Sequence, residues 1–515
     1  MPSYGEYSES MIPVFSVAQV RTVEKAEISR RGSEELMKQA AAAVSDAAVQ
    51  LLHGEPGKNI VGLIGPGNNG GDGLYALANL ARQGHNATAV LLSEKSHAPA
   101  LEELRTAGGT ITTAADAPQA ASGADLVIDA IYGLGYRPGA KLPTVPRGVP
   151  VLAVDVPSGL DAATGAADDA ALPAVRTVTF GALKEGLLTG DGPLLTGELS
   201  LVTLDFDFSA QSPMAWLVDP EAAGQLLDEH RSWRDAARHK YQRGVLGLIA
   251  GSDRYPGAAQ LTARAALNAG VGLLRSHMPD KVQAYMAASA PEAVPLGDQE
   301  VAEALSQSRR HLHGRGAKIS AWAIGPGLDP SGQPSEVIGK VFSSRQPAVI
   351  DASGLEIVPA GPSEQPRVLT PHAKELRMLL RRAGITVTAQ DIAEEPQKWT
   401  RWAALSYNAV VLLKGPTNYI VEPGGKTLVV CHTSPKLATA GSGDVLTGIL
   451  GTLLSDSSLT GVQGTALVSN QRLLELTACA AVIHGEVGRV AAEDSTVCAT
   501  RLIEVLPRVM ARFGF

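Results

Sequence analysis

The string Ala438-Thr439-Ala440-Gly441-Ser442-Gly443-Asp444-Val445-Leu446 holds the parts that phosphoryl transfer needs. A Gly-Ser-Gly loop opening an apolar helix turns main-chain N–H groups toward one point and forms a hole for an anion. Asp444, at the mouth of that hole, can accept a proton from a hydroxyl that attacks phosphorus. The positive end of the helix is expected to lower the Asp444 pKa and keep the side chain ionised at neutral pH. Taken alone, an aspartate here reads equally well as a helix cap. Other strings in the same half favour chemistry. Lys414-Gly415-Pro416-Thr417 ends a strand and can hold a nucleotide. Gly251 to Ala259 and Gly325-Pro326-Gly327 end two more strands. Thr370-Pro371-His372 precedes Glu375, a carboxylate able to reach a magnesium-bound water, since magnesium keeps part of its hydration shell. His372 by itself reads as a cap or a surface residue.

The N-terminal half carries three loops of another kind. Gly65-Pro66-Gly67-Asn68-Asn69-Gly70-Gly71-Asp72-Gly73 lies between a strand and a helix, where glycines let backbone N–H groups approach a phosphate. Asp129 to Gly139 and Asp155 to Asp161 follow later strands. Asn69, Asp129 and Ser158 offer one carboxylate and neutral oxygens. That set suits a monovalent cation such as potassium better than zinc, which favours His and Cys. Each loop alone is more often a turn or a cap. Their joint place on one sheet edge points to a site, because ligands of doubly wound sheets bind outside the carboxyl ends of the strands.

The elements that must position these loops read as alternating strands and helices. Residues 17–53 have helical periodicity, with Met37, Ala40, Ala41 and Val44 on one face. Strands are predicted at 60–64, 88–92, 126–131 and 151–154, and a helix at 74–82. A polar stretch from Asp205 to Arg243 shows no strand signal. It contains Trp216, Trp233 and the basic cluster Arg238-His239-Lys240, and reads as a boundary between domains 1–212 and 213–515. Strands at 246–250, 321–324, 348–350 and 410–413, with helices at 258–268 and 445–454, form a second series. Both halves are therefore expected to be α/β, with parallel sheets covered on both faces.

Bulk properties fit this. The 515 residues are too many for one core. The formal net charge of -8 disfavours nonspecific nucleic-acid binding. Three cysteines without a CxxC pair argue for a reduced, cytoplasmic setting. The first fifteen residues lack the pattern of a secretory signal, and no apolar run is long enough to span a membrane.

The strings GPGNNGGDG, LVIDAIYGLG and VDVPSGLDAATG, with the later TVTFGALKEGLL, resemble the NAD(P)H-hydrate epimerase family over about residues 15–205. The resemblance implies a Rossmann-like three-layer domain. Asn68, Asn69, Gly70, Gly71 and Asp72, with Gly133, Leu134, Gly135, Tyr136, Arg137, Pro138 and Gly139, would embrace the hydrated nucleotide, as would Asp155. Asn69, Asp129 and Ser158 would ligate potassium. Asp129 and Asp155 are both candidates for moving protons as C6 of the nicotinamide ring inverts, and the sequence does not choose between them.

The second half, about 218–515 and including His239-Lys240-Tyr241, resembles the ADP-dependent NAD(P)H-hydrate dehydratases, a ribokinase-like three-layer branch. By that likeness Lys414, Gly415, Pro416, Thr417 and Asn418, with Gly441, Ser442 and Gly443, would bind ADP. Ala258 or Ala259, Gly327, His372 and Asp444 would contact the hydrate, and Glu375 would serve magnesium. The implied partners are NADHX, NADPHX and ADP, with a homo-oligomer expected. Three positions depart from the family strings. Ala440 and Asp329 stand where glycine is common, and Ser353 where aspartate is. A Cβ at 440 would crowd a phosphate if that residue needs a positive φ.

Two other functions are compatible with parts of the chain. An ATP-dependent kinase of a vitamin alcohol shares the C-terminal fold, but the N-terminal strings have no place in one. A nucleotide sensor would not require both Asp129 and Asp155.

Overall fold

The computed structural model describes residues 11–229, 231, 239–241, 243–306, 319–329, 336–431, 435–460 and 467–515. Trp233, Arg238 and the first ten residues of the N-terminal stretch lie outside them. The chain divides into two compact units, one comprising Ile12–Ala215 and the other Trp216–Phe515.

The first unit is built on a parallel seven-stranded sheet. Its spatial order is Thr110–Thr113, Asn86–Leu91, Asn59–Ile64, Leu126–Ala130, Val151–Val154, Arg176–Phe180 and Glu198–Val202. The chain starts in the middle, runs to one edge, then returns to fill the other side. The strand order therefore reverses between Asn59–Ile64 and Leu126–Ala130. At such a switch point two loops diverge to opposite faces and leave a crevice. The predicted strands recur within a residue or two. The short edge strand Thr110–Thr113 gives little apolar signal because none of its residues is fully buried.

The N-terminal helical stretch is two helices, Val17–Arg31 and Ser33–Leu51. They break at Gly32, whose φ of 88° an L side chain rarely adopts. Ser16 and Gln19 form a capping box at the first helix. A second difference lies in the glycine string. The helix expected at 74 already starts at Asn68 and runs to Arg82. Two of the glycines serve packing. A Cβ on Gly70 would stand 2.1 Å from the Gly65 carbonyl oxygen, and one on Gly73 would stand 2.4 Å from the Ala130 Cβ. A short parallel pair, Ile12–Phe15 with Leu183–Lys184, completes the unit and sets Phe15 opposite Lys184.

The second unit has its own mostly parallel sheet. The order is Val294–Pro295, Leu273–His277, Val245–Ile249, Ala321–Ile324, Ala348–Ile350, Arg367–Leu369 and Val410–Leu413, all parallel. Thr417–Val421 and Thr427–Cys431 extend it antiparallel. Strand Ala215–Leu217 then pairs with Leu428 and Val429 through Trp216 and Leu217. That strand and the helix Pro220–Asp228 correct the reading of 205–243 as a stretch without strands. Three residues are too short for periodicity to register. Here too the order reverses, between Val245–Ile249 and Ala321–Ile324. Helix Asn470–Ala491 is apolar nearly all round and buried along its length, and Ser442–Ser455 is buried likewise. No helix among the described residues is long and apolar enough to cross a membrane.

Candidate active sites

In the first unit the loops after Ile64 and Ala130 open onto a cavity of about 400 Å³. Its floor is Pro66 to Asn69, Asp72, Ile131 to Gly135 and Asp155. Its walls include Glu24, Met37, Phe180 and Lys184. Of the expected binding residues, Asn68, Asn69, Asp72, Gly133, Leu134, Gly135 and Asp155 thus meet in one place. Gly70 and Gly71 are buried outside the lining, packed against Gly65 and Met37. Arg137, Pro138 and Gly139 are exposed outside the lining. Tyr136 is tied elsewhere as well. Its hydroxyl and the Gly139 N–H both donate to Asp168.

The two candidate aspartates differ sharply. Asp129 is fully buried and does not line the cavity. Its Oδ1 accepts the Ser158 hydroxyl at 2.6 Å and the Ile131 N–H at 3.3 Å, and its Oδ2 accepts the Ser158 N–H at 2.7 Å. Burial pushes its pKa up to about 6, and the bonds from Ser158 and Ile131 pull against that rise. Asp155 lines the cavity. It sits at a strand end with a left-handed φ of 67°. Its Oδ1 accepts Lys184 Nζ at 2.5 Å. Its Oδ2 lies 3.1 Å from where a Gly133 Cβ would be, with the Asn69 side-chain oxygen 3.2 Å from the same point. Glu24 and Asp72 share the cavity. Burial raises both pKa values, and the neighbouring Asp155 charge adds to the rise. Sequence reading missed Glu24 and Lys184. Glu24 hides in a helix taken for core packing. Lys184 sits in the TVTFGALKEGLL string without a distinguishing spacing.

The oxygen set expected to hold potassium converges on one loop. Ser158 Oγ accepts the Tyr132 N–H at 3.2 Å, Asp129 meets Ile131, and Asn69 abuts Gly133. The Asn69 side-chain nitrogen is buried without a hydrogen-bond partner. Turning that amide over would put an oxygen at this position. An orphaned amide beside one carboxylate fits a singly charged cation.

In the second unit, four elements converge on Asp351, which follows strand Ala348–Ile350. Its Oδ1 accepts Lys414 Nζ at 2.7 Å and the Thr370 hydroxyl at 2.8 Å, and its Oδ2 accepts the Thr447 hydroxyl at 2.9 Å. Burial opposes the Asp351 charge, but Lys414 and these bonds outweigh it and hold the pKa below the usual carboxylate value. Burial also opposes the Lys414 ammonium. The charges of Asp351, Glu375 and Asp444 outweigh it and keep the pKa above that of an ordinary lysine. A Cβ on Gly443 would be 3.4 Å from Lys414 Nζ, so the cation lies against the first turn of helix Ser442–Ser455. The amides of that turn have no acceptor within the helix.

Asp444 stands in this turn, but its expected ionisation is reversed. Burial and the Asp351 charge raise its pKa to about 7, against the pull of Lys414. Ala440 is not among the residues with positive φ. The left-handed turn falls on Gly441, φ 85°, so the alanine fits the backbone. Ser442 is buried and bonds His484 Nε2 at 3.0 Å. Ala258 lies beside Gly327, whereas Ala259 is buried in the core. His372 and Glu375 form a reciprocal capping box for helix Ala373–Arg382. Lys414, Gly415 and Pro416 turn between two strands, Gly415 N–H donates to Asn418 Oδ1, and Thr417 and Asn418 are buried. Among the described residues no group of three or more His, Cys, Asp and Glu could hold a metal ion.

These features define a two-unit α/β protein. A Rossmann-type crevice holds an aspartate and a buried lysine, and a second sheet sets a bonded Lys414–Asp351 pair against the first turn of the helix that carries Asp444. Residues 246–508 match the family model described as NAD(P)H-hydrate dehydratase, and residues 33–186 match the YjeF-related protein N-terminus. The chain is 34% identical over 461 residues to the bifunctional NAD(P)H-hydrate repair enzyme Nnr of Mycobacterium leprae, covering 86% of this chain and 89% of that protein. It is 30% identical over 535 residues to Nnr of Moorella thermoacetica, covering 95% and 96%. A crystal structure of the ADP/ATP-dependent NAD(P)H-hydrate dehydratase from Bacillus subtilis is 27% identical, with a TM-score of 0.45 over 57% of this chain and 96% of that one. The chain belongs to the bifunctional NAD(P)H-hydrate repair enzyme family and carries an epimerase and a dehydratase.

Proposed function

We propose that Asp155 moves the protons of epimerisation and that Asp444 is the base of an ADP-dependent dehydration. The observation that carries this reading is placement. Asp155 faces the cavity while Asp129 is spent on Ser158, and Asp444 stands in the helix turn against which Lys414 lies.

In the first site the C6–O bond of the hydrate breaks as a proton reaches the hydroxyl and water departs. Water returns to the other face and gives its proton back to Asp155. Asn68, Asp72 and Gly133 to Gly135 hold the nucleotide around that centre. Potassium, held by Asn69, Asp129 and Ser158, would supply fixed positive charge beneath the loop that carries Gly133.

In the second site Asp444 takes the proton of the C6 hydroxyl as its oxygen attacks the terminal phosphorus of ADP, and AMP leaves. Phosphate then departs from C6 and a proton from C5, restoring the dihydronicotinamide of the S form. Phosphorylation matters because phosphate leaves far more readily than hydroxide. Lys414 and the amides of Gly443 and Asp444 stabilise charge on the phosphoryl group, where one lost donor typically costs about 10²–10³ in rate. Magnesium supplies charge neutralisation on the phosphates when bound. Asp351 has both oxygens engaged, and Glu375 gives one to its helix cap, so Glu375 would reach the ion through its other oxygen and a bound water. A pKa of about 7 suits a base that must be ionised before reaction and protonated after it.

NADHX and NADPHX are the substrates in this reading, with ADP as phosphoryl donor, in a cytoplasmic homo-oligomer. The test gives purified chain a mixture of both epimers with ADP. Dihydronicotinamide absorbance should recover from the whole pool, with AMP and phosphate in equal amounts. A stable phosphorylated hydrate would instead mean a kinase, and an epimer ratio fixed in the absence of ADP would mean a sensor.

A further inference from the structure

Lys184 has an unusual environment for a lysine beside a ligand cavity. It ends the short strand Leu183–Lys184, held in register by Phe15, and its side chain is 1% exposed. An ammonium has three N–H bonds. Here the three acceptors are Asp155 Oδ1 at 2.5 Å, Thr179 Oγ1 at 2.8 Å and the Phe180 carbonyl at 2.8 Å. Every proton is used within the protein, so the ammonium has none to offer a substrate.

The same carboxylate oxygen also accepts the Thr179 hydroxyl at 3.2 Å and the Phe180 N–H at 3.3 Å. All these donors converge on Oδ1, and Oδ2 is turned toward Gly133 and Asn69 on the cavity floor. Asp155 also has a left-handed backbone, which a non-glycine residue holds only when its surroundings over-determine it.

We propose that Lys184 is a positioning residue of the epimerase, which clamps Oδ1 of Asp155 so that Oδ2 alone serves the C6 centre. The inference rests on Asp155 being the proton carrier. It also explains why the site tolerates a crowd of acids. Glu24 comes from helix Val17–Arg31, with Arg21 beside it, and Asp72 from helix Asn68–Arg82. Both feel the Asp155 charge. Without Lys184 the Asp155 carboxylate would face these groups without its bonded cation.

The experiment uses the full chain and follows epimer interconversion by stereochemically resolved chromatography. Lys184→Met should lower kcat by about 10²-fold, within the range for a displaced acid–base group, and change the hydrate KM by less than about threefold. Lys184→Arg should restore much of the lost kcat. Wild-type kcat in Lys184→Met overturns the proposal, and so does a loss confined to KM. If Lys184→Met does not fold, Thr179→Val decides. It removes one acceptor of the ammonium and one donor to Asp155. A smaller loss of kcat at unchanged KM supports the clamp, and wild-type kcat refutes it. Asp155→Asn separates the two levels. If that variant still epimerises, the assignment of Asp155 falls. If it is inactive while Lys184→Met behaves as wild type, only the clamp falls.

Discussion

Replacing Asp444 by Asn should cripple dehydration and at the same time make the second unit more stable. The carboxyl is held at a pKa of about 7 against an ordinary 3.8. At roughly 1.4 kcal/mol per pK unit, keeping it ionised costs the folded state up to about 4 kcal/mol. Water reaching the half-buried side chain screens part of this, so about 1–2 kcal/mol is expected in practice. The sign follows from a folded pKa above the unfolded one. The stabilising contribution of the protonated acid is complete below about pH 4 and lost as pH rises through about 7. Asn cannot ionise. Its advantage over the wild type should therefore be near zero below pH 4, grow through the interval and level off above 7. All five tryptophans lie in the second unit. Their fluorescence during urea unfolding of the full chain reports that unit alone. Unfolding at pH 5 and pH 8 gives the test. A variant no more stable than wild type at pH 8, or one whose advantage is larger at pH 5, would refute the claim that burial and Asp351 raise this carboxyl. Dehydration should fall by about 10²–10⁴ with epimerisation unchanged. The wild-type dehydration rate should rise with pH through about 7.

Ser158→Ala removes a hydroxyl that donates to buried Asp129. It should destabilise the first unit by about 1–3 kcal/mol. The Asp129 pKa is already raised, so the cost should be larger at pH 8, where the carboxyl is ionised, than at pH 5. Hydrogen exchange of strand Leu126–Ala130 measures this. Gly70→Ala should destabilise that unit by about 1–3 kcal/mol, since its Cβ meets a fixed carbonyl. Gly71→Ala should cost less, because its Cβ meets side chains, the Met37 sulfur at 3.0 Å and His97 at 3.3 Å, rather than backbone. Thermal unfolding of the pair by far-UV circular dichroism ranks them. Exchanging potassium for lithium should slow epimerisation and leave dehydration without added ADP-site defects. Equal epimerisation rates in both salts would remove the cation from the first site.

Much of the architecture is legible in the residues themselves. Short apolar runs such as Val151–Val154, Ala321–Ile324 and Val410–Leu413 fall between turn signals, and burial on both faces leaves them uniformly apolar. Helix boundaries were less legible. Asn68–Arg82 starts inside a glycine string because close packing on Gly65 and Ala130, rather than helix propensity, decides the residue types there. Strand Ala215–Leu217 owes its existence to pairing with a partner some two hundred residues away, and no local signal encodes that.

The chain's own order of residues determined which loops carry chemistry: the glycine string, the two aspartate loops and the Gly-Ser-Gly-Asp turn are local patterns whose physical demands are local. Tertiary structure alone decided which member of each pattern can act. It buried Asp129 against Ser158 and turned Asp155 to the cavity. It brought Lys184 from a distant strand to hold one carboxylate oxygen, and set Asp351 and Lys414 against the helix that carries Asp444 and Thr447. Ionisation follows the same division. The helix terminus that a sequence reveals favours a charged Asp444. The burial and neighbouring charge that prevail arise only when strand ends far apart in the chain meet, because desolvation depends on everything packed around a group and not on what precedes or follows it.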